Sequence, residues 1–98
     1  MRVKILSVAE ADLEEGYRFY ESQAGGLGTY FLDTLYSDID SLAYFAGMHR
    51  EVLGYHRLLS KRFPFAVYYR IVGDMALVFA VLDCRRNPSW IRAKLSKQ

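Results

Sequence analysis

The hydrophobic pattern of the chain changes its period halfway along, and this change restricts the fold more than any other feature. Up to about residue 46, apolar residues recur at spacings of three and four, as they do on one face of an amphipathic helix. Beyond residue 54, three segments rich in β-branched and aromatic residues have the length and composition of strands. Helices grouped ahead of a run of strands predict an α+β fold, in which the helices cover one face of an antiparallel sheet.

The first half predicts a short strand followed by a helix. Residues 3–6, with the sequence VKIL, have the composition of a strand, and a helix is expected over residues 8–23. Ser7 and Glu10 have the spacing of a capping box, in which the two side chains bond to backbone N–H groups of the first turn. We therefore expect Ser7 to cap this helix.

A glycine-rich segment, AGGLG at 24–28, separates this helix from a second one. The segment follows a helix and lacks the Gly-Lys-Ser/Thr ending of a phosphate-binding loop, so we interpret it as the turn of a helical hairpin. Apolar residues at helical spacing continue from Leu27. They predict a second helix over residues 27–46, which Gly47 can end.

Three strands are predicted in the second half, at residues 54–59, 65–72 and 75–83. The Gly-Asp pair at 73–74 predicts a two-residue hairpin turn between the last two strands. Simple alternation divides the middle strand into two faces. We expect the more buried face to carry Phe65, Val67, Tyr69 and Ile71.

A short helix is predicted after the last strand, because Asn87 can cap it and Pro88 suits its first position. The complete predicted order is β-α-α-β-β-β-α. A chain of 98 residues is long enough for one modest core and too short for two, so residues 1–98 are expected to form a single domain.

Several classes of protein are excluded by composition. The longest apolar run, at 75–82, is too short to cross a bilayer. The single cysteine, Cys84, cannot form an internal disulfide, which agrees with a reducing compartment. His49 and His56 have no cysteine or third ligand at a spacing typical of metal sites. We therefore expect a cytoplasmic protein that binds no metal, has no cofactor and does not associate with a membrane.

Charge is distributed unevenly between the two halves of the chain. Residues 1–49 carry three Lys or Arg against eight Asp or Glu, whereas residues 50–98 carry ten against three. The two halves therefore carry net charges of opposite sign, which largely cancel in the net charge of +2 for the whole chain. Such an asymmetry favours a basic working surface for nucleic acid or for an acidic protein.

Two long segments carry a resemblance to a known family. They are AEADLEEGYRFYES at 9–22 and FPFAVYYRIVGDMALVFAVLDCRRNPSWIRAKL at 63–95. With the order of the predicted elements, they make the chain resemble the RelE/ParE superfamily of bacterial toxins, from type II toxin–antitoxin or plasmid-stabilisation systems. The family pattern usually has a histidine near the start of the basic segment, where this sequence has Asp83 and Cys84.

The resemblance is closer to the ParE-like branch, whose members inhibit DNA gyrase, than to the RelE-like branch, whose members cleave messenger RNA in the ribosome. His56 and Leu58 stand at the alternating basic positions of the nuclease branch, and Phe65 stands at its strand-opening arginine. Arg85 fits the late arginine, whereas Trp90 or Ile91 falls where the nucleases have a tyrosine. Leucine and phenylalanine can neither transfer a proton nor stabilise the charge of a phosphorane.

The resemblance implies a toxin that stops growth by binding an essential target, with DNA gyrase as the expected target and no catalytic site of its own. One alternative is a ribosome-dependent, metal-independent endoribonuclease, in which His56 and Arg85 would act on messenger RNA. The other alternative is a degenerate member of the family that has lost its toxicity. The predicted target-binding residues are basic or aromatic: Arg57, Lys61, Arg62, Arg85, Arg86, Trp90 and Arg92.

A toxin of this kind also implies a cognate antitoxin, and the antitoxin part of the complex would bind operator DNA. In the family, an antitoxin segment commonly lies across the helical hairpin and the sheet. The aromatic stripe of the hairpin offers apolar surface for such a segment. The predicted antitoxin-binding residues are Tyr17, Tyr20, Tyr30, Phe31 and Tyr36.

Overall fold

The computed structural model describes residues 1–97 and has the predicted order of elements, with two short additions. The elements are β1 (Arg2–Ile5), α1 (Ser7–Gln23), α2 (Leu27–Asp40), α3 (Leu42–Phe45), β2 (Glu51–Val52), β3 (Tyr55–Leu59), β4 (Phe65–Val72), β5 (Met75–Asp83) and α4 (Pro88–Ser96). The additions are α3 and β2. The α+β fold class is confirmed.

The five strands form one sheet in the order β1-β5-β4-β3-β2. β1 runs parallel to β5, and every other neighbouring pair is antiparallel. β4 and β5 form the central hairpin, which has a bulge between Tyr68 and Tyr69. Its turn has the predicted position, and Gly73 adopts φ +61° there, a conformation that side-chain-bearing residues rarely adopt.

α1 and α2 cross so closely that glycine is needed on both helices. A Cβ added to Gly16 would lie 2.5 Å from the ring of Phe31. A Cβ added to Gly28 would lie 2.7 Å from the backbone oxygen of Tyr17, which cannot move independently of α1. Steric fit between the two helices therefore fixes the geometry of the hairpin.

The sheet is covered on both faces. The helical hairpin buries Phe65, Val67 and Tyr69 of β4, as the alternation predicts, although Ile71 is 37% exposed near the strand end. On the opposite face α4 covers a second, smaller cluster. The face that carries Phe65, Val67, Tyr69 and Ile71 is the more buried, as expected, but the other face is also covered near the start of β4, where Ala66 and Tyr68 pack beneath α4.

Two further expectations about the helices are corrected. Ser7 is the first residue of α1 and not its cap. The cap is Leu6, whose side chain makes no capping hydrogen bond and whose backbone oxygen accepts from the N–H of Glu10 at 3.0 Å. The second helix is interrupted at Ser41, whose hydroxyl donates to the backbone oxygen of Asp38 at 2.6 Å and competes with the helical pattern.

The last helix begins as predicted, since the Asn87 side chain accepts from the Ser89 N–H at 2.9 Å and Pro88 occupies the first turn. Among the helices of residues 1–97, none has the length and apolar character needed to cross a bilayer.

Candidate functional site

Two turns meet at one end of the sheet and bring four cations together. The turn at 60–64 links β3 to β4, and the turn at 84–87 links β5 to α4. The Cys84 N–H donates to the Pro64 oxygen at 2.8 Å, which joins the two turns. We call this region the basic end and define it by Lys61, Arg62, Arg85 and Arg86.

Arg85 is held in place by Asp83 at the end of β5. Its Nε and Nη2 donate to the two carboxylate oxygens at 3.0 and 2.9 Å, and its backbone N–H donates to the same carboxylate at 2.9 Å. These hydrogen bonds lower the pKa of Asp83 and raise the pKa of Arg85. The nearby phenol of Tyr20 also raises the pKa of Arg85. The Arg85 side chain is still more than half exposed, so its outer edge can reach a partner.

Arg86 and Trp90 form a second recognition element beside this pair. The guanidinium carbon of Arg86 lies 4.2 Å from the centre of the Trp90 ring, which is a favourable cation–π geometry. Together they border a cleft of about 350 Å³ between α1 and α4. Across this cleft, the buried carboxylate of Asp12 accepts from the Val81 N–H at 3.0 Å and lies 3.7 Å from the Lys94 ammonium.

Arg57 and Cys84 lie close to the basic end on the α4 side of the sheet. Arg57 is opposite Tyr68 in the sheet register, and its charge acts on both the Tyr68 phenol and the Cys84 thiol. Burial nevertheless raises the pKa of Cys84, so the thiol stays protonated at neutral pH. A reactive thiolate at Cys84 is therefore not favoured.

Arg92 lies apart from the other predicted target-binding residues. It borders a separate groove with Tyr55 and Arg70, which sits near the other end of β4. Arg70 was missed by the sequence analysis, although it shares a strand face with Tyr68 and could have been found from that alternation.

The residues that an endoribonuclease would need do not converge. His56 pairs with Tyr69 in the middle of β4, whereas Arg85 follows Asp83, which pairs with Phe65 at the start of that strand. Leu58 and Phe65 pack with the core beneath the helical hairpin. His56 and Arg85 therefore lie at different positions along the sheet.

His56 belongs instead to a packed aromatic cluster. Its ring stacks on Tyr69, and its Nδ1 lies 2.9 Å from the backbone oxygen of His49. The Tyr69 hydroxyl accepts from the Gly47 N–H at 2.9 Å and hydrogen-bonds to Nδ1 of His49. Burial lowers the pKa of His49, which favours its neutral form. This cluster ties the segment after α3 to the sheet.

The predicted antitoxin-binding residues divide between core and surface. Tyr20 and Phe31 are buried and stack on each other, so they support the hairpin from within. Tyr30 and Tyr36 are 44% and 39% exposed, and Tyr17 is half-buried beside Gly28. Phe19, at 49% exposed, adds apolar surface that the prediction did not include.

Within residues 1–97, no group of three or more His, Cys, Asp or Glu side chains is arranged to hold a metal ion.

No protein-family model and no curated protein matches the sequence. One solved structure that it resembles is described as the chromosomal ParDE TA system from P. aeruginosa. A chain of that structure aligns with a TM-score of 0.75 and 23% sequence identity, over 83% of this chain and 92% of the other. The two chains share one fold. The fold implied by the sequence resemblance is thereby confirmed.

Proposed function

We propose that this ParDE-like chain is the toxin of a type II toxin–antitoxin system and belongs to the ParE-like branch of the RelE/ParE superfamily. The observation that carries the proposal is the fold, which is shared with a chain of a ParDE system over most of both lengths. The sequence pattern supports it independently, through the basic segment that follows β5.

The toxin acts by binding an essential target, with DNA gyrase as the proposed target, and it needs no metal or cofactor. The basic end offers guanidiniums on two joined turns, and guanidinium pairs bidentately with carboxylate or phosphate. Trp90 beneath Arg86 adds the kind of aromatic anchor that is enriched at binding hot spots. The separation of His56 from Arg85 favours binding over RNA cleavage.

A cognate antitoxin neutralises the toxin by covering the helical hairpin, and operator DNA is bound through the antitoxin. Residues 7–40 carry eight acidic residues and one arginine, and Tyr30 and Tyr36 expose aromatic surface among them. An amphipathic segment could bury these rings while its polar side chains face the acidic groups. Lys61, Arg62, Arg85 and Arg86 lie on the two turns, and Arg62 borders this surface, since its Nη1 donates to the Tyr30 hydroxyl at 3.1 Å.

The proposal predicts that reversing charge at the basic end abolishes toxicity while the fold persists. In a DNA supercoiling assay with purified gyrase, the antitoxin-free protein should inhibit in a dose-dependent manner. The double variant Arg85→Glu/Arg86→Glu should lose at least about 30-fold in potency, which corresponds to about 2 kcal/mol at a binding hot spot. The matched control is Lys4→Glu/Arg50→Glu, which makes the same change of charge at exposed positions outside the basic end.

The other outcomes separate the alternatives. Folded protein that arrests growth without inhibiting gyrase would reject gyrase as the target. The search would then move to ribosome-bound messenger RNA, with His56→Ala and Arg85→Ala as the first variants. Folded protein that does not arrest growth at all would identify a degenerate, non-toxic member. Equal potency of the Arg85/Arg86 double variant and the wild type would reject the basic end as the binding surface.

A further inference from the structure

A second cationic groove lies on the α4 side of the sheet, away from the basic end. It has a volume of about 250 Å³ and is bordered by the turn between β2 and β3, the last part of β4 and the carboxyl end of α4. The lining residues are Leu53, Tyr55, Arg70, Arg92, Leu95 and Ser96. Two arginines thus face a concave surface whose remaining walls are mostly apolar.

Arg70 is positioned before any partner arrives. Its Nε donates to the Gly54 oxygen at 3.1 Å, and its guanidinium carbon lies 4.0 Å from the centre of the Tyr55 ring. That ring is almost fully buried, and its hydroxyl donates to the Leu95 oxygen at 3.1 Å, which anchors α4. A guanidinium fixed in this way loses little conformational freedom when it binds an anion.

The positive charge of this groove has no carboxylate counterpart in the described part of the chain. No Asp or Glu is among the lining residues, and Arg92 makes no hydrogen bond or ion pair within residues 1–97. At the basic end, by contrast, Arg85 is already paired with Asp83. The groove therefore presents two guanidiniums whose charge is available to a ligand.

We propose that this groove binds a carboxylate side chain, flanked by an apolar residue, on a segment of a protein partner. Leu53, which is 49% exposed, suits the apolar neighbour, while Arg70 and Arg92 bind the carboxylate. The carboxyl end of α4 borders the groove, and its dipole opposes excess negative charge. A singly charged carboxylate is therefore favoured over a phosphate dianion.

The site is separate from the surface proposed to meet gyrase, so it can be tested without any toxicity assay. The probe is the peptide acetyl-Leu-Asp-Leu-Glu-Leu-amide, added to isotope-labelled protein and followed by NMR. We expect saturable shifts at the Tyr55 and Leu95 amides and at the Arg70 Nε–H. The same peptide with Asn and Gln in place of Asp and Glu should produce none, because it lacks the carboxylates.

Two variants test the two arginines separately. Arg92→Gln and Arg70→Gln should each weaken binding about tenfold, the scale of one charged hydrogen bond. Arg92 is exposed and makes no hydrogen bond or ion pair within residues 1–97, so its variant remains informative even if Arg70→Gln is unstable. The control Arg50→Gln removes an exposed cation elsewhere and should leave binding unchanged.

Three results would overturn the proposal. They are the absence of saturable shifts, equal binding of the acidic and amide peptides, and unchanged binding by folded Arg92→Gln. A ten-nucleotide oligothymidylate that shifts the same groove resonances more tightly than the peptide would also overturn it, in favour of a nucleic-acid site. A failure of the protein to inhibit gyrase would reject the proposed target but would not count against this groove, because peptide binding is measured separately.

Discussion

The helical hairpin and the basic end are built on different physical principles. In the hairpin, α1 and α2 approach so closely that Gly16 and Gly28 have no room for a Cβ. At the basic end, the turns are fixed by a few hydrogen bonds, and the exposed side chains of Arg62 and Arg85 bond to Tyr30 and Asp83. The hairpin should therefore be sensitive to side-chain volume, whereas the basic end should be sensitive to charge.

The two regions also shift the pKa of a carboxyl group in opposite directions. Asp12 on α1 is buried, and burial raises its pKa although the Val81 N–H and Lys94 partly compensate. Asp83 at the basic end accepts hydrogen bonds from Arg85, which lower its pKa despite partial burial. The same functional group is thus destabilised in its charged form in one place and stabilised in the other.

The largest effect is expected from Gly28→Ala in the hairpin. The new Cβ would lie 2.7 Å from both the Cδ1 atom and the backbone oxygen of Tyr17, so α2 would have to move. We expect the free energy of unfolding to fall by about 2–3 kcal/mol in urea denaturation, typical of overpacking.

Gly25→Ala is the matched control for this variant. It lies in the same glycine-rich turn, but its added Cβ would meet no atom within 4 Å. Its free energy of unfolding should change by less than about 0.5 kcal/mol. Equal stability of the two variants would contradict the view that steric fit sets the hairpin.

A smaller effect is expected where the two regions are joined. The Ser60 hydroxyl donates to the Asp38 carboxylate of α2 at 2.7 Å, and Asp38 is only 8% exposed. Ser60→Ala should lower the free energy of unfolding by about 1–1.5 kcal/mol, because a buried carboxylate loses a hydrogen bond. Ser96→Ala, which removes only a local bond to the Ala93 oxygen on an exposed helix end, should change it by less than about 0.5 kcal/mol. If Ser60→Ala is as stable as this control, the link between the regions is unimportant.

The local sequence pattern was sufficient to predict much of the fold. The bounds predicted for β4 and β5 match those observed, because both strands have strong β composition on either side of a Gly-Asp turn. The Asn87 cap was also predicted, since its contact lies within two residues along the chain. The break at Ser41 was missed, because a hydroxyl bonding to a backbone oxygen leaves no trace in hydrophobic periodicity.

The candidate sites were harder to predict, because they depend more on tertiary structure. Sequence alone could not reveal that α4 covers one face of the sheet, and so Arg92 was grouped with the basic end when it faces Arg70. The burial of Tyr20 and Phe31 likewise follows from how the hairpin sits on the sheet. The grouping of the two turns of the basic end followed from the predicted strand pairing, whereas the position of Arg92 depended on how α4 docks on the sheet.

The smallest predicted effect is the pH dependence that distinguishes Asp12 from Asp83. The folded-state pKa of Asp83 lies below its unfolded value, near 3.8, so its stabilisation is present above that pH and is lost as the pH falls through the folded pKa. The folded-state pKa of Asp12 lies above its unfolded value, so ionisation reduces stability as the pH rises from about 4 through the folded pKa. The two contributions therefore have opposite slopes.

These slopes can be measured from the unfolding free energies of Asp83→Asn and Asp12→Asn between about pH 3 and pH 7. The advantage of the wild type over Asp83→Asn should grow with pH and stay below about 1 kcal/mol, because Arg85 is largely exposed. Relative to Asp12→Asn, the wild type should instead lose stability with rising pH. Asparagine can still accept from the Val81 N–H, so this comparison isolates the charge. Parallel slopes for the two variants would mean that burial at the hairpin and pairing at the basic end have the same effect on a carboxylate. The two regions would then differ only in their sensitivity to side-chain volume.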